Sequence, residues 1–504
     1  MVSGDDDVSR RPLKVYFIAH PSPGHIAPLT KIAHLFAALG EHVTILTTPA
    51  NVHFHEKSID KGKASGYHVN IHTVKFPSKE VGLPDGIENF SYASDVETAA
   101  KIWAGFAMLQ TEMEQYMELN PPDCIVADMF TSWTSDFAIK LGITRIVFNV
   151  YCIFTRCLEE AIRSPDSPHL NKEISDNEPF VIPGLPDPIT ITRAQLPDGT
   201  FSPMKELART AELKSFGMVI NGFSELETDY IEHYKKIMGH KRIWHVGPLQ
   251  LIHRNDEDKI QRSHKTAVLS DNDNELVSWL NSKKPDSVIY ICFGSATRFS
   301  NHQLYEIACG LEASGHPFLW GLLWVPEDED NDDVGNKWLP AFEERIKKEN
   351  KGMILRGWAP QMLILNHPAI GGFMTHCGWN AVVEALSFGV PTITLPVFSE
   401  QFYTERLISQ VLKTGVEVGA EKWTYAFDAG KYPVSREKIA TAVKKILDDG
   451  EEAEGMRKRA REMKEKAQKS VEEGGSSYNN LTAMIEDLKE FRANNGKAAQ
   501  DHES

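Results

Sequence analysis

The sequence predicts an α/β protein built from two doubly wound domains that face each other across a cleft. The first observation is a strand–loop–helix–strand order that begins at Lys14, in which both strands are continuously apolar. Such strands are typical of a parallel sheet covered by helices on both faces. The second observation is that the same alternation restarts after a polar stretch at 250–275. A chain of 504 residues is long enough for two such domains.

The first half, 13–249, is predicted to form the N-terminal domain, preceded by a flexible segment at 1–12. Its first helix shows apolar residues at helical spacing, with Pro28 expected in the first turn and Gly40 at the end. Further strands are predicted at 123–128, 145–150, 218–222 and 243–247.

The second half repeats this pattern after the linker at 250–275. Residues 276–475 are predicted to form the C-terminal domain, 476–492 a helix that docks back on the N-terminal domain, and 493–504 a flexible tail. Its strands are expected in SVIYICFGS, PFLWGLLW, GMILRGW and VPTITLPV. Ligands of such sheets bind beyond the carboxyl ends of the strands, so functional residues are expected there.

Composition excludes several classes of protein. The hydrophobic fraction is 41%, the charged fraction 25% and the net charge −16, so the chain is an ordinary globular one without the basic surface that nucleic acids need. No apolar run approaches the roughly 20 residues of a membrane-spanning helix, and the polar, acidic N-terminus is unlike a secretory signal. The six cysteines form no C-x-x-C pair. We therefore expect a cytoplasmic monomer with reduced thiols and no membrane insertion.

Common catalytic fingerprints are absent from the sequence. It contains no G-x-G, no Walker-type phosphate loop, no G-x-S-x-G and no H-E-x-x-H. The one metal candidate is the D-x-D of Asp271 and Asp273, which lies in the polar linker and is interpreted as solvated. We expect no metal and no cofactor.

The densest functional signal is the stretch 358–401. At its centre, HCGWN leads into a helix that Asn380 is expected to cap and Gly389 to end. A helix N-terminus preceded by Gly378 and His376 is suited to bind an anion through free N–H groups and the helix dipole. No Lys or Arg lies nearby in the sequence, so dipoles and neutral donors are expected to hold the anion.

Other residues of this stretch suit a nucleotide and a sugar. Trp358, just after a strand, has the shape to stack on a base, and Glu384 to accept from ribose hydroxyls. Glu400 and Gln401 follow the next strand and suit a hydroxyl-rich ligand. Taken singly, a tryptophan such as Trp358 is more often a core residue than a stacking platform, and a glutamate such as Glu400 is usually on the surface. Their places at successive strand ends favour one site.

The stretch 358–401 resembles the signature box of plant secondary-product UDP-glycosyltransferases, glycosyltransferase family 1. Its W-A-P-Q start, H-C-G-W-N core and E-Q end all match, and the resemblance extends over about 13–492. FSEQF and the following VEVGAEKW resemble the subgroup that glycosylates triterpenoids and flavonoids. The resemblance implies the two-domain GT-B fold, with the donor on the C-terminal domain and the acceptor on the N-terminal one.

The resemblance also implies a donor site. The base would stack on Trp358 and bond to the main chain of Ala359. The remaining contacts would be made to ribose by Gln361 and Glu384, to the diphosphate by Ser295, His376, Asn380 and the main-chain N–H of Ala381, and to the sugar by Trp379, Glu400 and Gln401.

Two positions depart from the family pattern. The family commonly has serine where this chain has Ala381, so a hydroxyl contact to the donor is lost while the main-chain N–H stays. Many members have aspartate where this chain has Glu400. Glutamate also occurs in the resembling subgroup, so we do not interpret it as inactivating.

The predicted catalytic pair is His25 with Asp128. Both follow strands of one predicted sheet, so they are able to converge, and a histidine oriented by a buried carboxylate is a common general base. The resemblance assigns the same two positions. His20 is the competing candidate, and from the residues alone His25 is equally well explained as a cap of the first helix.

The expected function is metal-independent, inverting transfer of a sugar from a UDP-sugar to an apolar acceptor. Glucose is the expected sugar, with galactose or glucuronic acid as alternatives. The expected acceptor is a triterpenoid aglycone, with a flavonoid or phenolic as alternative, bound by the N-terminal domain and the segment 151–205. An epimerase or phosphorylase of the same architecture, and an inactive ligand-binding homologue, remain as other readings.

Overall fold

The computed structural model describes residues 11–171, 173–198, 202–239, 242–252, 271–326 and 337–503, with side chains given except at 271–273 and 496–503. Within these residues the chain forms two parallel sheets, each flanked by helices, and one short antiparallel hairpin.

The N-terminal sheet has seven parallel strands in the order β3-β2-β1-β4-β5-β8-β9. These strands are β1 Lys14–Ile18, β2 His42–Thr47, β3 Val69–Thr73, β4 Cys124–Asp128, β5 Thr144–Asn149, β8 Gly217–Ile220 and β9 Ile243–His245. The central strands are buried on both faces, which matches their continuous apolar sequence. The hairpin consists of β6 Pro179–Val181 and β7 Thr190–Thr192.

In the described part of this half, eight α-helices accompany the strands: α1 Pro23–Ala38, α2 Glu56–Ala64, α3 Val96–Met108, α4 Gln110–Leu119, α5 Trp133–Leu141, α6 Ile153–Arg163, α7 Pro203–Leu213 and α8 Thr228–Met238. Helix α1 begins at Pro23, so the expected place of Pro28 in the first turn is wrong, whereas Gly40 follows the helix end with a φ of 90°. His25 therefore lies in the first turn of α1 rather than before it.

The C-terminal sheet has six parallel strands in the order β12-β11-β10-β13-β14-β15. They are β10 Val288–Cys292, β11 Phe318–Leu322, β12 Gly352–Arg356, β13 Ile370–Thr375, β14 Thr392–Thr394 and β15 Gly415–Glu417. The sequence did not predict β13, because its IGG start is typical of a loop. A Cβ at Gly371 would lie 2.3 Å from the Asp286 carbonyl oxygen, so glycine here permits close packing within the sheet.

The helices of this half are α9 Asp271–Asn281, α10 Asn301–Ser314, α11 Trp338–Lys348, α12 Gln361–Leu365, α13 Trp379–Phe388, α14 Gln401–Arg406, α15 Arg436–Leu447, α16 Glu451–Val471 and α17 Ser476–Glu503. Helix α9 begins inside the expected linker 250–275, so the linker is shorter than predicted; its middle, 253–270, lies outside the described residues. The backbone of the D-x-D pair forms the first turn of α9.

Helix α17 packs against the N-terminal sheet. The Asn480 Nδ2 donates to the His245 carbonyl oxygen at 3.1 Å, and the Lys489 ammonium lies 2.6 Å from Glu41. Arg492 pairs with Asp123 and donates to the Arg11 carbonyl oxygen. The helix continues to Glu503, so the expected tail from 493 is wrong for the backbone that is described. In the described ranges, every helix is too short or too polar to span a bilayer.

Candidate active site

In each parallel sheet the order of the strands reverses once, and predicted site residues lie at each of these two reversal points. In the N-terminal sheet, β1 pairs with β2 on one side and β4 on the other. In the C-terminal sheet, β10 pairs with β11 and β13 in the same way. Chain connections leave such neighbouring strands in opposite directions, which opens a crevice at their carboxyl ends. His25 and Asp128 lie at the first crevice, Ser295 and His376 at the second.

His25 and Asp128 form a hydrogen-bonded pair. The His25 Nδ1 lies 2.7 Å from Asp128 Oδ2, and the Phe130 main-chain N–H donates to Asp128 Oδ1 at 3.0 Å. Burial alone would raise the pKa of Asp128, but the charge and hydrogen bond of His25 hold that pKa below its usual value. An ionised carboxylate only accepts hydrogen bonds, so Nδ1 carries the proton and Nε2 keeps a lone pair.

His20 lies beside this pair but is not hydrogen-bonded to it. It follows the end of β1 by two residues, and its ring lies 4.8 Å from that of His25 between centroids. Its ring stacks on Phe90 and lies within 6 Å of Trp103 and Phe130. Burial lowers the pKa of His20 to about 3, so it is neutral. Phe90, Trp103 and Phe130 thus form an aromatic wall next to His25.

The N-terminus of α13 carries the second group of residues. A Cβ at Gly294 or at Gly378 would lie within 3 Å of the His376 ring, so the two glycines enclose that ring. Burial lowers the pKa of His376 to about 4, which leaves it a neutral donor at pH 7. The expected cap is wrong: α13 begins at Trp379 after Gly378, and Asn380 sits inside the first turn. Its amide instead donates to the Gly24 carbonyl oxygen at 2.7 Å.

The residues expected to hold the nucleoside lie together at the end of β12. Trp358 is 75% exposed, an unusual position for a large aromatic side chain, and Ala359 beside it is half-buried. The Gln361 Nε2 donates to Glu384 Oε2 at 2.7 Å, and the Tyr290 hydroxyl donates to Gln361 Oε1 at 3.3 Å. Burial raises the pKa of Glu384, opposed by that hydrogen bond.

Glu400 and Gln401 are both buried after β14. The Gln401 Oε1 accepts the main-chain N–H groups of Val397 and Phe398, so only its N–H₂ is available to a ligand. Burial raises the pKa of Glu400. Ser399 before it has a φ of 54°, a strained conformation for serine that is typical of functional loops.

Trp379 does not present its side chain to the cleft. The side chain is buried, and its indole N–H donates to the Asn221 carbonyl oxygen at 2.8 Å. The expected contact of Trp379 with the sugar is therefore left to its main chain and stays a prediction. Its main-chain N–H, together with those of Asn380 and Ala381, belongs to the free N–H groups at the start of α13.

Three polar residues of the cleft were not predicted from the sequence. Arg298 donates to the Ser295 carbonyl oxygen at 2.8 Å and to the Ser91 carbonyl oxygen at 3.3 Å, so a cation lies beside Ser295. Because Arg298 lies only three residues after Ser295, its presence near that residue was predictable from the sequence. The charge of Lys31 acts on Glu384 across the cleft, and Asn221 contacts Asn380. These two contacts join distant parts of the chain, which no local pattern reveals.

The hairpin β6–β7, which belongs to the segment 151–205, contacts the C-terminal half. The Thr190 main-chain N–H donates to Gln410 Oε1 at 2.9 Å, and the Gln195 Nε2 donates to the Ala420 carbonyl oxygen at 3.0 Å. Both partners belong to the C-terminal half. The hairpin therefore joins the two domains, and Phe90, Trp103 and Phe130 supply the surface beside His25.

No three His, Cys, Asp or Glu side chains of the described residues are arranged to share a metal ion. The side chains of Asp271 and Asp273 lie outside those residues.

Comparison with known proteins agrees with this geometry. The family model described as "UDP-glucoronosyl and UDP-glucosyl transferase" matches residues 262–458. UDP-glucosyl transferase 73CC6 of Saponaria officinalis is 49% identical over 96% of this chain and 98% of its own length. This chain belongs to the plant family 1 UDP-glycosyltransferases. It is thus a glycosyltransferase enzyme, as the signature box predicted.

Other UDP-glycosyltransferases extend the comparison. Soyasapogenol B glucuronide galactosyltransferase of Glycine max is 43% identical over 95% of this chain and 96% of its own. The crystal structure of Glycyrrhiza uralensis UGT73P12 complexed with glycyrrhetinic acid 3-O-monoglucuronide superposes with a TM-score of 0.89 at 36% identity, covering 98% of this chain and 99% of that one. The predicted GT-B fold, with two Rossmann-like domains, is confirmed.

Proposed function

We propose that this UDP-glycosyltransferase transfers glucose, with inversion and without a metal, from UDP-glucose to a hydroxyl or carboxyl group of a triterpenoid aglycone in the cytoplasm. The observation that carries the proposal is the pair formed by His25 and Asp128 beside an aromatic wall and opposite the start of α13. One crevice thereby supplies a base and an apolar surface, and the facing one supplies donors for an anion.

His25 acts as the general base. Because Nδ1 is bonded to the ionised Asp128, Nε2 takes the proton from the acceptor hydroxyl. The acceptor oxygen forms a bond to the anomeric carbon while the bond from that carbon to the diphosphate oxygen breaks. Attack from the face opposite UDP converts an α-linked donor into a β-glycoside. The proton then leaves the imidazolium for solvent, and Asp128 stabilises that cation until it does.

The departing UDP gains negative charge at the diphosphate. In the proposal this charge is stabilised by the free N–H groups at the start of α13, the neutral ring of His376 and the hydroxyl of Ser295. The dipole of α13 adds to the effect. Since these donors are part of the fold, no metal ion is needed in the proposal.

The names of relatives support the sugar and acceptor. UDP-glucosyl transferase 73CC6 and scopoletin glucosyltransferase of Nicotiana tabacum, 43% identical, are named for glucosyl transfer. The soyasapogenol B glucuronide enzyme and the glycyrrhetinic acid glucuronide complex concern triterpenoid compounds. The broad aromatic wall of Phe90, Trp103 and Phe130 suits a large apolar ring system.

A donor and acceptor screen tests the proposal. The purified chain is incubated with UDP-glucose, UDP-galactose or UDP-glucuronic acid and with triterpenoid aglycones, their monoglucuronides or flavonoids, and products are identified by mass spectrometry and NMR. A β-glucoside of a triterpenoid is expected. A preference for flavonoids, another sugar or glucuronides refutes that specificity, and release of free sugar without an acceptor product refutes the transfer.

Metal independence is tested in the same assay. Turnover is expected to persist in EDTA, because α13 and its neighbours supply the charge stabilisation. Loss of turnover on chelation, with recovery on adding Mg²⁺ or Mn²⁺, would instead implicate a site such as Asp271 and Asp273.

A further inference from the structure

Asn221 lies outside the signature box, yet it contacts the start of α13 at two points. It follows β8 in the N-terminal sheet and is buried. Its carbonyl oxygen accepts the Trp379 indole N–H at 2.8 Å, and its Nδ2 donates to Asn380 Oδ1 at 3.1 Å. Asn221 therefore holds the end of the helix that is proposed to bind the diphosphate.

The hydrogen bonds continue from Asn221 and Asn380 to two main-chain groups. The Leu249 N–H donates to Asn221 Oδ1 at 3.1 Å, and the Asn380 Nδ2 donates to the Gly24 carbonyl oxygen at 2.7 Å. A main-chain N–H only donates and a carbonyl only accepts, so the two ends determine the orientation of both amides. The series ends one residue before His25.

The Gly24 carbonyl is free to accept this bond because of Pro28. In a regular helix this carbonyl would accept the N–H of the residue four positions later, which here is proline and has none. Pro28 inside α1 thus leaves an acceptor at the catalytic end of the helix. Asn380 of the opposite domain satisfies it.

We propose that Asn221 is a positioning residue of the transfer reaction, which orients the Asn380 amide and so holds the start of α13 in register with the turn that carries His25. The inference rests on the proposed function, in which His25 is the base. The Asn380 amide has two N–H groups, and the one not bonded to Gly24 is available to a phosphate oxygen. The UDP-sugar and His25 are thereby both positioned relative to the Asn380 amide.

Register matters because transfer requires the acceptor oxygen close to the anomeric carbon and in line with the leaving group. A displacement of about 1 Å lowers the rate by about 10²-fold. Gly247 packs closely against the Asn221 amide, since a Cβ at Gly247 would lie only 2.4 Å from Asn221 Oδ1. This packing restrains the amide. Asn221 acts through Asn380 and Trp379.

The variant Asn221→Asp tests the inference. It keeps the size of the side chain and an acceptor for the Leu249 N–H, but it places an oxygen against Asn380 Oδ1. The repulsion turns the Asn380 amide, which then faces the Gly24 carbonyl with its own oxygen. We expect kcat to fall by about 10²-fold. The acceptor KM and the pH profile should stay unchanged, and kcat should fall by more than the donor KM rises.

Gln250→Ala is the matched control. Gln250 is also buried, and its Nε2 donates to Ser387 Oγ at 3.0 Å and to the Val383 carbonyl oxygen at 3.3 Å, both on α13 but away from its start. This variant loses contacts to the same helix without touching Asn380. We expect a lower Tm but a kcat close to that of the wild type.

Asn221→Ser provides a second variant that introduces no charge, with an intermediate loss of kcat expected. UDP affinity and Tm are measured for every variant, which separates loss of folding from loss of register. Wild-type kcat in both Asn221 variants, or an equal loss in Gln250→Ala, overturns the inference and leaves the transfer reaction standing. A wild-type chain that transfers no sugar refutes the proposed function instead.

Discussion

At the scale of single residues, His25 has one ring nitrogen free for a substrate, because Nδ1 is bonded to Asp128. We predict that His25→Ala lowers kcat by about 10²–10⁴-fold, the usual contribution of a general base. UDP affinity should hardly change, since the proposed donor contacts belong to the other domain. Product formation followed by chromatography and UDP binding followed by calorimetry test both points.

His20→Phe is the control for this prediction. It preserves an aromatic ring in the wall beside His25 and removes the competing base, so turnover is expected to persist. The assignment of His25 is wrong if His25→Ala keeps more than about a tenth of wild-type turnover, or if His20→Phe loses it to the same degree.

A substitution at Ala381 is expected to improve the enzyme rather than to impair it. A serine hydroxyl at this position, in the first turn of α13, is expected to reach a donor phosphate oxygen. Hydrogen bonds to charged groups contribute roughly 1.5–3 kcal/mol, but water already competes for this one. We therefore predict that Ala381→Ser lowers the donor KM only a few-fold. Separate KM measurements decide: a shifted acceptor profile at unchanged donor KM would put residue 381 on the other side of the cleft.

At the scale of elements, the turn between β13 and α13 depends on a glycine for space rather than for conformation. Gly378 has a φ of −60°, which any residue adopts, but a Cβ there would lie 2.6 Å from His376 Nε2. Gly378→Ala is predicted to displace the His376 ring and to raise the donor KM by about tenfold, the loss of one hydrogen bond to a charged group.

Gly450→Ala makes the same chemical change where no atom lies within 4 Å of the added Cβ, so donor KM should not change there. Equal donor KM values for the two variants and the wild type would mean that His376 does not bind the donor.

The buried strands were predictable from the sequence, whereas the contacts between the domains were not. Apolar runs predicted the central strands β1, β4 and β10, because strands buried on both faces are continuously apolar, whereas the glycines at the start of β13 concealed that strand. The start of α1 was predicted too late because Pro28 was treated as a first-turn residue. Pro28 lies inside the helix, where the Gly24 carbonyl that it leaves without a helical partner accepts a hydrogen bond from Asn380, 356 positions away. The roles of Trp379 and Asn221 were beyond reach for the same reason, since contacts between domains leave no local period.

At the scale of the whole molecule, three buried histidines make stability depend on pH. Burial is the main cause that lowers the pKa of His20 to about 3 and those of His55 and His376 to about 4. Unfolding returns them to about 6.5, so below that pH each of the three binds more protons in the unfolded chain than in the folded one. Their contribution to the free energy of unfolding is therefore predicted to fall as the pH is lowered from 6.5 to 4.

Each such histidine contributes a slope of up to about 1.4 kcal/mol per pH unit over that range. Urea unfolding at a series of pH values measures the slope. His55→Gln, which removes one of the three groups away from the cleft, should make it shallower. An equal slope for the wild type and for His55→Gln would contradict the prediction.

The return of α17 to the N-terminal sheet means that the polypeptide crosses between the domains twice, once after Ile252 and once between Val471 and Ser476. The C-terminal half is thus tied to the N-terminal half at both of its ends, which leaves the two halves less freedom of relative rotation than a single connection would.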